Sequence, residues 1–132
     1  MRKPDYAPLD DALDTIAACG IQLTNGNINH ASMAVETLCA LGRPEAVAPW
    51  LVRYRARMLP RPAAQSHITD NDWEGALGAR ERFADWTLFF GERLQEAPWQ
   101  QVLDRWVDRL APGFCAAAMH GVIRVGHAAR AR

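Results

Sequence analysis

"NHASMAVETLCALGRPEAVAPWLVRYRARM", Asn29 to Met58, decides how this chain is read, because its apolar residues return at helical rather than strand spacing. Asn29 is a good N-cap, and Met33, Ala34, Leu38 and Leu41 recur on one side until Gly42 and Pro44 end the run. Pro44 is suited to open a second helix, which carries Val47, Trp50, Leu51, Tyr54 and Met58 on one face. Pro49 is either a kink in that helix or its true start.

The same period extends outward in both directions. On the N-terminal side a helix runs from the cap residue Asp10 through Leu13, Ile16 and Ala17 to Gly20, and "TNGNINH", Thr24 to His30, is a turn-rich connector. On the C-terminal side "LPRPAAQSH", Leu59 to His67, reads as a loop. Asp70 or Asn71 then caps a short helix closed by Gly78. Arg80 to Glu96 follows as an amphipathic helix with Phe83, Trp86, Phe90 and Leu94 inward, and Pro98 opens another carrying Trp99, Val102, Leu103, Trp106 and Leu110. From about Phe114 a last helix reads to the C-terminus without a stop signal, so the chain looks cut and its final helix open. No segment shows clean alternation. The expected fold is all-α, about six helices in an orthogonal or bundle-like domain over residues 1–132, with no sheet.

Composition narrows the function classes. The 132 residues suit a single domain, and 49% hydrophobic with 23% charged residues is ordinary for a globular chain. The formal net charge of +0 supplies no global field for nucleic acid or anionic membrane, so neither is an expected partner. Of the fifteen basic residues only Lys3 is lysine, a bias of GC-rich coding that suggests a bacterial source. Cys19, Cys39 and Cys115 are odd in number and lack metal or disulfide spacing, which points to a reducing cytoplasm. No apolar run approaches the roughly 20 residues that span a bilayer.

Chemistry concentrates in "MHGVIRVGHAAR", Met119 to Arg130. His120 and His127 share a helical face, yet seven residues separate their Cα atoms by roughly 10.5 Å. Metal-binding pairs on one helix more usually stand four residues apart. A regular helix therefore favours packing roles for both imidazoles, while Gly121 and Gly126 offer ways to relax the geometry. Arg124 lies one turn from each, placed for a carboxylate or an anionic oxygen. His30, in the first turn of its helix, sits where the helix end disfavours protonation and leaves a neutral imidazole available to a metal. His67 lies in a polar loop beside Asp70 and Asp72. "RYRAR", Arg53 to Arg57, reads as a solvated face. Five tryptophans at mainly inward positions serve the core or admit a flat aromatic ligand. No glycine-rich phosphate loop follows a strand, so no nicotinamide or flavin site is expected in the chain itself.

In combination and order, "NHASMAVETLCALGRPEAVAPWLVRYRARM", "WEGALG", "FADWTLFFGERL" and "VLDRWVDRLAPGFCAAAMHGVIRVGHAARA" resemble the questin oxidase-like family from about Asn25 onward. The resemblance implies an oxygenase that uses O2 on an aromatic polyketide-type substrate at a histidine-rich non-haem iron (Fe2+) site, with NADPH associated with some members. Its asparagine-histidine motif falls on Asn29 and His30, and its histidine-glycine and glycine-histidine motifs on His120, Gly121, Gly126 and His127. The implied ligands are His30, His120 and His127, with Asn29 and Arg124 supporting them. For these to converge, His127 and His30 must meet across helices, and His120 joins only through a bend near Gly121 or Gly126. His67 matches no family position. Family members are longer, so the resemblance also implies an N-terminal portion whose missing C-terminal region, or another chain, covers the last helix. The competing readings are a non-catalytic helical binding or scaffold module and an inactive fragment.

Overall fold

The computed structural model describes residues 2–132. In chain order the regular elements are α1 (Leu9–Ala17), β1 (Cys19–Leu23), α2 (Ala31–Ala40), α3 (Val47–Arg55), β2 (Met58–Pro60), α4 (Phe83–Glu96), α5 (Trp99–Leu110) and α6 (His120–Arg130). They pack as two compact units, one formed by the residues up to Pro60 with Ala116–Arg132, the other by Arg61–Cys115.

The fold is mainly helical, but the expectation of no sheet is overturned by an antiparallel pair, β1 with β2, in which Cys19 faces Pro60 and Leu23 faces Met58 across an irregular register. Its strands have five and three residues. The burial of β1, at Gly20 and Leu23, skips two positions instead of alternating, so the period-2 signal that marks a half-buried strand never develops. Thr24 donates its N–H to the Arg57 carbonyl at 2.8 Å, extending the pairing by one bond. Met58 consequently leaves the helical face on which spacing puts it and joins β2, because α3 ends at Arg55.

The core of the first unit is built by α1, α2 and α3 around Leu9, Ile16, Leu23, Val35, Cys39 and Val47. Asp10 and Asp11 lie in the first turn of α1, where carboxylates favour the positive helix end. Gly42 terminates α2 at φ +65°, and a Cβ there would stand 2.4 Å from the Lys3 carbonyl oxygen. Gly42→Ala therefore adds left-handed strain of about 1–2 kcal/mol to a collision that lifts the N-terminal segment off α2. Thermal melts are expected to show the loss, with Ala40→Gly, inside α2, as a comparison that costs only about 1 kcal/mol.

The second unit pairs α4 with α5 around Ile68, Phe89, Val102 and Trp106. Phe89 and Trp106 meet edge to face at 5.1 Å, and Trp86 stacks on Phe90 at 5.6 Å. Leu94 departs from the expected inward stripe: it is exposed, because the buried side of α4 follows Ala84, Asp85 and Phe89. Buried Asp85 accepts the N–H groups of Gln65 and Ser66 and pairs with Arg82. Burial pushes its carboxyl up, but those bonds outweigh it and hold the group below the usual carboxylate range. Asp70 accepts from both Arg93 and Arg109, tying the loop to the two helices. Among the described residues no helix is long and apolar enough to cross a membrane.

Candidate metal centre

The site is built where α2 and α6 lie side by side in the first unit. Partners advance in the same sense along both, His30 with His120 and Glu36 with His127 and Arg130, so the two helices run parallel. After β1, residues 24–27 turn the chain back, and Asn29 donates its N–H to Ile21 at 2.8 Å. Asn29 is buried, with Nδ2 donating to the Gly20 carbonyl at 3.0 Å and Oδ1 accepting the Ala31 N–H at 2.9 Å. Asn29 is not the cap expected of it: α2 begins at Ala31 with His30 at the N-cap position, and Asn29 stands one residue earlier, its bond to the Ala31 N–H closing the turn that leads into the helix. This fixes the residue that follows, His30, at the end of α2. The His30 N–H donates to the Tyr54 hydroxyl at 3.1 Å, which ties the same residue to α3.

α6 does not start at Phe114. Ala117, Ala118 and Met119 take left-handed conformations, φ 50°, 52° and 64°, and α6 begins at His120. The bend therefore precedes His120 instead of falling at Gly121 or Gly126, and it turns that imidazole toward His30.

The two Nε2 atoms stand 2.9 Å apart, with the rings edge to face and centroids 4.8 Å apart. Each Nδ1 faces a backbone carbonyl, Ile28 at 2.7 Å for His30 and Ala117 for His120. A carbonyl only accepts, so in a neutral ring Nδ1 is the protonated nitrogen and Nε2 presents its lone pair toward the facing ring. Two facing lone pairs repel unless one proton or a cation lies between them. Metal-bound histidines characteristically donate their second nitrogen to a carbonyl or carboxylate, which is the arrangement of both rings. With metal–nitrogen bonds of about 2.0–2.1 Å, nitrogens in neighbouring positions at right angles lie about 2.9 Å apart, so the pair fits two adjacent ligands of one ion. Among the described residues no group of three or more His, Cys, Asp and Glu is arranged to hold a metal.

His127 is engaged elsewhere. Its Nδ1 donates to Glu36 Oε2 at 2.6 Å, while Arg130 grips the same carboxylate through Nε at 2.8 Å and through Nη2, and the Tyr6 hydroxyl donates at 3.1 Å. Burial alone raises the Glu36 pKa, but the bonds from Arg130, His127 and Tyr6 outweigh it and bring it from 4.5 to about 2. The structure thus brings His30 and His120 together and leaves His127 apart, on the far side of a turn and a half of α6 and more. Arg124 donates to the Asn29 carbonyl at 3.3 Å, with its side chain leaning back toward the start of α6. Burial lowers its pKa, and among the described residues it has no carboxylate partner. His67 lies 3.9 Å from Glu92 in the second unit.

Glu36, Arg130 and Tyr6 were not among the residues singled out by spacing. Glu36 carried a signal: a carboxylate within the otherwise apolar "ASMAVETLCA" faces inward only with a cationic partner. Tyr54 reads simply as core, and nothing in the sequence reveals that its hydroxyl reaches His30. An open cleft of about 570 Å³ adjoins the imidazole pair, lined by Leu23, Ile28, Tyr54 and Arg57 as well as His30 and His120.

Comparison with curated proteins and with solved structures gives no match. The pairing of His30 and His120 joins two segments that lie ninety residues apart, and both fall inside one continuous match, residues 28–131, to the family described as Questin oxidase-like, to which this chain belongs.

Proposed function

We propose that the chain is an oxygen-dependent oxidoreductase acting on an aromatic, polyketide-type substrate, with iron held by His30 and His120. The observation that carries this reading is the pair of Nε2 lone pairs at 2.9 Å, each imidazole fixed by a carbonyl on its other nitrogen. When bound, ferrous iron supplies O2 activation and electron transfer. The chain's own residues do the rest. Ile28 and Ala117 lock the tautomers, Asn29 anchors the backbone of His30 to β1, and Arg124 draws α6 onto that same backbone. The cleft beside the pair receives the substrate, with Leu23, Ile28 and Tyr54 excluding water from its apolar side.

The test is oxygen uptake by protein reconstituted anaerobically with Fe2+ and then mixed with hydroxylated naphthalenes and anthraquinones in the presence of NADPH or ascorbate. Uptake that requires protein, iron and an aromatic substrate, and disappears in His30→Ala, supports the reading. Iron-loaded protein that consumes no more oxygen than His30→Ala overturns it.

A second reading is a helical binding module. It is favoured by α6, which buries no residue and exposes Val122, Ile123 and Val125. It predicts that a partner or second copy covers this face and that the imidazole pair takes up no iron.

A further inference from the structure

The cleft beside the imidazole pair has a cationic end. Arg57, at the junction of α3 and β2, lines it, and its backbone is held there by its N–H on the Tyr54 carbonyl and its own carbonyl on the Thr24 N–H. Its guanidinium lies 5.5 Å from the centroid of the Tyr54 ring, which on its own account stacks on Trp50 at 4.5 Å with the planes 18° apart. Trp50, Tyr54 and Arg57 follow one another at four and three residues, which on a helix and its first turn beyond makes one column. A guanidinium placed over a ring at this distance keeps N–H donors with which to meet two oxygens side by side.

Among the described residues nothing uses those donors. Among the described residues Arg57 has no carboxylate within ion-pair distance and no side-chain hydrogen bond, in contrast to Arg82, Arg93, Arg109 and Arg130, each of which is paired. No acidic residue lines this cleft or the smaller one beside it, where Arg53 joins Trp50, Tyr54 and Arg57. The Tyr54 hydroxyl accepts the backbone N–H of His30, so a single side chain lies between the guanidinium and the backbone that carries one of the two imidazoles. Asn27 adds an exposed amide to the wall, and Leu23 and Ile28 supply apolar surface.

We propose that Arg57 is the anion anchor of this cleft and that its ligand is an organic carboxylate, with the carboxylate on the guanidinium edge and an apolar body on Leu23 and Ile28 directed to His30 and His120. This rests on the reading of the cleft as the substrate site, and it narrows the substrate class from aromatic compounds in general to acids. Arg57 is here a binding residue, and it takes no part in any proton or electron transfer.

The experiment is titration calorimetry on the whole chain freed of metal by chelation, with sodium 2-naphthoate and its neutral counterpart 2-naphthamide as probes. A bidentate charged contact at a half-open site predicts that the acid binds about tenfold more tightly than the amide, and that added salt narrows the difference. Arg57→Gln brings the two probes within about twofold of each other, Arg57→Lys keeps part of the preference, and Arg55→Gln, at the last residue of α3, keeps all of it. Equal binding of both probes by the unaltered protein, binding of neither, or an undiminished preference in Arg57→Gln overturns the proposal. Because no metal is present, the result is independent of iron uptake. A retained acid preference in a chain that binds no iron upholds this inference while removing the oxidoreductase reading.

Discussion

On the proposed reading, protein in which His30 and His120 are both replaced by alanine is expected to take up no iron, whereas His127→Ala is expected to take up as much as the unaltered chain. The expected contrast comes from geometry. His30 and His120 turn their Nε2 lone pairs toward one point, and neither is paired with a carboxylate. His127 spends Nδ1 on Glu36 within an ionic cluster that already neutralises that carboxylate with Arg130. Each single variant, His30→Ala or His120→Ala, leaves one imidazole, and loss of one of two ligands lowers affinity by at least about tenfold, since even groups that merely support a ligand are worth that much. Iron content after anaerobic reconstitution and desalting, read alongside helix content, measures this. A chain whose iron content falls with His127→Ala and holds with the double variant would mean that the facing imidazoles are joined by a proton alone.

Much of this arrangement was legible in the sequence, and what escaped did so for identifiable physical reasons. α2 was readable because Met33, Ala34 and Leu38 follow helical spacing and Gly42 with Pro44 supplies a strong stop. The strands were not, since three residues in β2 give no period to detect and β1 buries Gly20, a residue without a side chain to mark the face. The start of α6 was equally hidden. Alanine is the best helix former, so "AAAM" reads as helix, and tertiary context alone puts Ala117 and Ala118 in the left-handed region. Spacing separated His120 from His127 along one helix, and in the structure the two imidazoles have different partners. The resemblance then supplied His30, and in the structure His30 faces His120 while His127 bonds to Glu36.

That last assignment carries the second large effect. α6 buries no residue, so its place against α2 depends on polar ties: the imidazole pair at its start, Arg124 on the Asn29 carbonyl, and the Glu36 cluster near its end. Glu36→Gln replaces one acceptor oxygen by an NH2 group that faces Arg130 and either His127 or the Tyr6 hydroxyl, donors it cannot satisfy, and removes the charge that pairs with Arg130. Breaking a buried, multiply bonded charge in this way costs about 3 kcal/mol, and the loss falls on α6 first because little apolar contact holds it otherwise. Hydrogen exchange is expected to show the amides of α6 losing protection while those of α2 and α3 keep theirs. The same cluster gives α6 an acid dependence of known sign. Glu36 has its pKa lowered from 4.5 to about 2, so its contribution is complete above about pH 4.5 and is lost as pH falls through about 2. In the unaltered chain protection of α6 should therefore decline across that interval, and in Glu36→Gln it should be low already at neutral pH with no further decline of this origin. Full protection of α6 in Glu36→Gln would show that the helix is held by its start alone. Loss of protection together with weakened iron binding, although Glu36 touches neither His30 nor His120, would show that the tie at the end of α6 is what keeps His120 within 2.9 Å of its partner.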